Sequence, residues 1–151
     1  VQAPNFLGSK TWAMPAVVLL SIWQGFGYNM LVFSAALDNV PVSLTEAATI
    51  DGAGASARFF RIVLPLITPS IFFAVVLTLI SSFQVFTQAY VLTGGGPGNA
   101  TTTMVLYLYE QGFQFYNLGL ASAIAWILFL IILIITIFQF IGQRRWVHYD
   151  Q

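Results

Sequence analysis

The sequence predicts an all-α integral membrane protein, with three transmembrane helices and one polar loop on the cytoplasmic side, as part of a larger bundle. Composition is the first observation behind this: 58% of residues are hydrophobic and 7% charged, with a mean hydropathy of +0.84, whereas soluble domains carry roughly a quarter charged residues. Second, apolar runs at about residues 12–37, 67–92 and 118–141 are each long enough to cross a bilayer as a helix. Third, charge is segregated. Four of the ten acidic and basic side chains, Glu46, Asp51, Arg58 and Arg61, fall in the island 41–69 between the first two runs. The chain opens at Val1 without a basic stretch, short apolar core and small-residue cleavage site, and so reads as a piece of a longer protein.

The same composition excludes several chemistries. A formal charge of zero argues against a nucleic-acid surface, which needs clustered Lys and Arg. With no cysteine there is no disulfide, thiolate nucleophile or thiolate metal site, and one histidine, His148, builds no imidazole cluster.

Residues 1–11 are a polar lead-in with one cation, Lys10. In the first span Pro15 lies in the opening turn, where a missing N–H costs little. Further along, Ser21, Gln24, Gly25 and Tyr28 follow i, i+3, i+4, i+7 spacing and share one helix face. A polar stripe inside a membrane should face protein or a water-filled path, because an amide facing lipid loses its hydrogen bonds. The second span, entered at Pro65 and Pro69, places Thr78, Ser82 and Val85 on one face and Ser81, Gln84 and Gln88 on the adjacent one. The alternative is that these hydroxyls bond back to their own helix, or that small polar groups join helices. The larger amides of Gln24, Gln84 and Gln88 need more partners than that.

Residues 93–103, TGGGPGNATTT, are a loop by composition. No phosphate-binding Gly-Lys-Ser/Thr follows them, and Gly8-Ser9-Lys10-Thr11 lacks the same spacing. Asn99-Ala100-Thr101 matches a glycosylation acceptor, a tripeptide common by chance. The aromatic segment 104–117, with Glu110 its one acid, suits a helix at the interface or against the bundle. The third span begins with small residues, Gly119, Ala121, Ser122, Ala123 and Ala125, that admit a neighbouring helix, and its second half is lipid-facing in character. Arg144 and Arg145 beside Trp146 read as an interfacial anchor, and His148 as a solvated tail residue. With three spans, Arg58, Arg61, Arg144 and Arg145 share one side and Lys10 lies on the other. The island and the C-terminus are therefore expected in the cytoplasm.

Within the loop of about residues 38–66, Ser43 and Glu46 have capping-box spacing, predicting a short helix from Leu44 that Gly52 and Gly54 break. Ser56 is then placed to cap a second helix with Phe59, Ile62, Val63 and Leu66 on one side and Arg58 and Arg61 on another, running into the next span. The expectation is a compact lever; the alternative is an ordinary interhelical loop.

Glu46-Ala47-Ala48, three residues, Gly52, nine residues, Ile62, one residue and Leu64-Pro65 resemble the EAA motif of ABC importer permeases. TIDGAG and LPLITPS resemble the carbohydrate-importer branch, that of maltose and glycerol-3-phosphate permeases. So do IWQGFGYNMLVF, YVLTGGGPGNATTT, GLASAIAW and RRWVHYD, and the likeness covers nearly the whole chain. The resemblance implies a multi-pass permease of a prokaryotic cytoplasmic membrane, with further helices before this segment. Its loop would dock on a cytoplasmic ABC ATPase dimer through Glu46, Ala47, Ala48, Asp51, Gly52 and Gly54. ATP would be bound and hydrolysed by that partner, so the permease itself would be no enzyme and hold no cofactor. A second homologous permease and an extracytoplasmic solute-binding protein are the other implied partners. Implied substrate-path positions are Ser21, Gln24, Gly25, Tyr28, Thr78, Ser82 and Val85. Of these Ser21, Gln24 and Val85 depart from the maltose-type residues, having replaced an amide, an aliphatic and an amide. Neither stripe holds a cation, which favours a neutral saccharide over glycerol phosphate as cargo.

An ion-coupled carrier fragment is the main rival, but no Asp, Glu, Lys, Arg or His lies inside a span. A purely structural subunit would use the stripes as helix glue. A membrane enzyme would need paired carboxylates, a nucleophile with its base, or a metal cluster, and none is present.

Overall fold

A computed structural model describes residues 5–144 and 147. The readings of Arg145, Trp146 and His148 lie outside the described residues. Every regular element among the described residues is helical. Helices α1 (Ala13–Asp38) and α8 (Leu118–Gln143) are each long and apolar enough to cross a membrane. Between them come α2 (Val42–Ile50), α3 (Ala55–Arg58), a π-helical turn Phe59–Val63, α4 (Leu64–Leu66), α5 (Thr68–Phe83), α6 (Thr87–Thr93), α7 (Met104–Tyr109) and a second π-helical turn Glu110–Gln114.

Helix α5 lies at the centre, packing against α1 on one side and α8 on the other. Phe72, Ala74 and Val76 are all buried, with Phe72 and Val76 on one face and Ala74 on the opposite one, and Phe72 meets Phe140 edge to face at 5.1 Å. That contact joins the start of α5 to the end of α8, so the two run antiparallel. The π turn after α7 seats Gly112 against α8, where a β-carbon would stand 3.1 Å from Ala121 Cβ. The segment read as interfacial or bundle-packed is thus packed on the bundle through α7 and this turn. Most apolar side chains point outward, Trp23 at 76% and Trp126 at 65% exposure among them, as expected where lipid or further helices replace water as the neighbour.

The second span departs from expectation, because the apolar run 67–92 is not one helix. It is entered through a 64° bend between Ala55–Leu66 and Thr68–Phe83, and it is broken between Phe83 and Thr87. Pro65 and Pro69 explain the bend: Pro69 has no N–H to give the Pro65 carbonyl, and the Thr68 hydroxyl bonds that carbonyl instead at 2.7 Å. At the break within the run the Val85 carbonyl is released from the helix ladder and accepts from the Thr103 hydroxyl at 2.6 Å.

The Gly-rich loop is built, not slack. Thr101 is fully buried and donates to the Gly96 carbonyl at 2.9 Å, the Thr93 and Thr101 hydroxyls lie 2.6 Å apart, and Thr102 donates to Gly95. The Gly96–Pro97 bond is cis. Gly98, at φ +56, lies against the Lys10 side chain, which puts the lead-in and this loop at one end of the molecule. The 39–66 segment occupies the opposite end, with the C-terminus of α8.

Candidate functional site

The two polar stripes converge on one groove of about 440 Å³ between α1 and α5, within the size of small-molecule sites. From α1 come Ser21, Gln24, Gly25, Tyr28 and Asn29; from α5, Leu77, Thr78, Ser81 and Ser82. The break contributes Val85, and α6 contributes Gln88. All seven substrate-path positions named from the sequence lie here, together with Asn29, Ser81 and Gln88 that were not among them. Gln84 turns away and lines a recess against α7 and α8. A further recess of about 520 Å³ shares Asn29, Thr78 and Ser82 and continues past Phe33, Ala74 and Val75.

Helical periodicity explains why these side chains meet. Positions four apart stack on one face of α1, and the antiparallel α5 presents Thr78, Ser81 and Ser82 opposite them, with Val85 just beyond its end. Gly25 keeps the wall low, since a β-carbon there would have only Asn29 Nδ2 near it, at 4.0 Å. Part of the polar capacity is committed within the helices. Ser21 Oγ donates to the Val17 carbonyl, Ser82 Oγ to that of Thr78 and Asn29 Nδ2 to that of Gly25. Across the groove Gln88 Nε2 donates to Gln24 Oε1 at 2.5 Å, tying α6 to α1. Among the described residues, no carboxylate, ammonium, guanidinium or imidazole lines the groove.

The second candidate surface is α2, which buries none of its residues. Glu46 and Ala47 are exposed and Ala48 half-buried; Val42 is 67% exposed, and Ile50 87%. The capping box does not form. The helix starts at Val42 with Pro41 as its N-cap and no side-chain cap bond. Pro41, extended at φ −60 and ψ 122, presents its carbonyl to Leu44 N at 3.1 Å, so backbone closes the first turn and Ser43 lies inside it. Nor does Ser56 cap the next helix. Gly54 does so through its carbonyl, which accepts from Arg58 N at 3.0 Å.

Gly52 ends α2 at φ +78, with Asp51 as the C-cap residue. Ala53 N donates to the Ala48 carbonyl at 2.9 Å and Gly52 N to that of Thr49 at 3.0 Å, the paired bonds of a Schellman closure. Arg58 donates to Thr49 Oγ1, pinning α3 to α2. Ile62, Val63 and Leu66 are half-buried as expected, but Phe59 is exposed, because the π turn shifts the register of the apolar face. The 42–66 segment is therefore a helix, a closed turn and a second helix that meets α5 at an angle.

A family model described as binding-protein-dependent transport system inner membrane component matches residues 1–148. The chain belongs to that family. It is 45% identical over 144 residues to the "Probable ABC transporter permease protein YesP" of Bacillus subtilis, covering 94% of this chain and 46% of the relative. To the sn-glycerol-3-phosphate transport system permease protein UgpA of Yersinia pestis it is 46% identical over 147 residues, 97% of this chain and 50% of the relative. The sulfoquinovosyl glycerol transport system permease protein SmoG of Agrobacterium fabrum is 40% identical over 131 residues, 87% and 42% of the two chains. The chain spans about half the length of these relatives. As a member of the family it is a multi-pass component of the inner membrane, and its all-helical architecture agrees.

Proposed function

We propose that the chain is the C-terminal half of a permease subunit of an ATP-driven importer, carrying saccharides across the cytoplasmic membrane through the groove between α1 and α5. The observation that carries this is the groove itself: amides, hydroxyls and a tyrosine converge there from helices far apart in sequence, with no charged side chain among them. Tyrosine offers an apolar ring face and a hydroxyl, and the amides and hydroxyls suit a neutral polyol. The family description, a binding-protein-dependent transport system, supports the dependence on a binding protein. A second permease subunit of the same family would complete the path.

In this reading the 39–66 end faces the cytoplasm, since Arg58, Arg61 and Arg144 gather there and Lys10 is at the other end. Helix α2 docks in a groove of a separate ATPase subunit. Its small Ala47 and Ala48 surface, flanked by exposed Val42 and Ile50, suits helix-in-groove recognition, and Glu46 can accept from donors on the partner. ATP-driven closure of the ATPase pair would push α2, and the Schellman turn and the Arg58–Thr49 bond keep that push from dissipating in a loose loop.

A second reading, import of glycerol 3-phosphate, is favoured by the name of the Yersinia pestis relative. It would need a cation from outside this groove. The test is ATP-dependent uptake into proteoliposomes by the full-length permease assembled with its partner permease, ATPase and binding protein. Glu46→Lys and Gly52→Pro are expected to abolish uptake or release the ATPase on purification. Unchanged uptake and unchanged co-purification in both would overturn the coupling assignment, and glycerol 3-phosphate as sole cargo would overturn the saccharide assignment.

A further inference from the structure

The hydrogen bonds already made inside the groove limit what it can offer a ligand. The Ser21 and Ser82 hydroxyl protons are directed to carbonyls of their own helices, and one Asn29 N–H is held by Gly25. The two serines therefore face a ligand mainly as acceptors. The densest remaining donor capacity is the Gln24–Gln88 pair: after their mutual bond, Gln24 keeps two N–H groups, and Gln88 keeps one N–H and its carbonyl.

We propose that Gln88, acting with Gln24, is a specificity-determining element that reads adjacent hydroxyl groups and exchanges its bond to Gln24 for bonds to the cargo. This deepens the reading of the groove as a saccharide path and rests on it. Each hydroxyl of a vicinal diol both donates and accepts, so two neighbouring hydroxyls match two neighbouring amides. A phosphate or sulfonate only accepts, so it can use the amide N–H groups but leaves the Gln88 carbonyl without a donor. The position of the pair supports exchange over static glue. Gln24 is exposed and Gln88 half-buried on the groove wall, and the bond spans elements 64 residues apart with open space beside it. Gln88 lies just beyond the break at 84–86, so it is held by the short α6 and not by α5.

The experiment uses the full importer assembled in proteoliposomes, arrested with vanadate, with radiolabelled maltose, cellobiose, raffinose and glycerol 3-phosphate as probes. Gln88→Leu and Gln24→Leu are each expected to raise the Kd of the retained saccharide about tenfold, with the double variant little worse than either alone. Gln88→Asn is expected to recover part of the loss, and all variants to co-purify with the ATPase. If the unaltered importer retains a saccharide, an unmoved Kd in Gln88→Leu overturns the role of the pair and leaves the path assignment standing. If the unaltered importer retains no saccharide, the path assignment falls and the pair's role falls with it.

Discussion

Gly52 and Gly54 stand two residues apart, and the backbone treats them differently. Gly52 has φ +78, where a β-carbon costs about 1–2 kcal/mol, while Gly54 has φ −66, which any residue adopts. Neither would meet a neighbour through a β-carbon, so conformation alone separates them. Gly52→Ala is expected to destabilise the turn by about 1–2 kcal/mol, and Gly54→Ala to change it by less than about 0.5 kcal/mol. Amide exchange at Gly52 and Ala53 in the full-length chain measures both; equal protection in the two variants would refute the distinction. Sequence spacing identified the turn and its glycine. It misplaced the cap at Ser43, because a Ser three residues before a Glu is also what a first turn looks like once a preceding proline has started the helix.

The bend into the second apolar run and the break within it differ in how far a sequence can announce them. Pro65 and Pro69 mark the 64° bend in their own residue types. The break at 84–86 has neither Gly nor Pro to signal it. The hydroxyl that accommodates the freed carbonyl belongs to Thr103, eighteen residues on, and only tertiary structure brings it to Val85. Thr103 also caps α7, accepting from Leu106 N at 3.2 Å. Thr103→Val therefore removes a cap worth about 0.5–2 kcal/mol and strands a carbonyl at about 1–3 kcal/mol, while Thr103→Ser keeps both bonds. The valine variant is expected to show faster exchange in α6 and α7 and faster proteolysis at residues 94–100, with the serine variant near the parent. An aromatic cluster, with Tyr109 meeting Phe86 at a tilt and Tyr90 edge to face and stacking on Phe113, holds α6 to α7 in both.

At the scale of the molecule, run length and charge placement gave the helical class and its long apolar elements, because each depends on the chain alone. Groove membership was partly legible for a similar reason: Ser21, Gln24, Gly25 and Tyr28 share a face at any helical pitch near 3.6. Gln88, like Ser81, was read as part of the adjacent polar stripe and fell outside the path positions that the resemblance supplied; the break then turns α6 so that Gln88 meets Gln24. With no carboxylate, amine, guanidinium or imidazole on the groove wall, saccharide Kd in the arrested importer is expected to stay flat between about pH 6 and 8. A sigmoid there would mean that a titrating group from another part of the transporter enters the site.

The Thr103–Val85 bond carries an obligation of its own. One hydroxyl secures both the rim of the glycine-rich loop and a carbonyl on the groove wall. Where cargo binds the bonded and unbonded arrangements unequally, a protein that settles on that loop and favours the bonded one alters the affinity of the groove, and by thermodynamic reciprocity cargo in the groove alters the hold on that protein by the same factor.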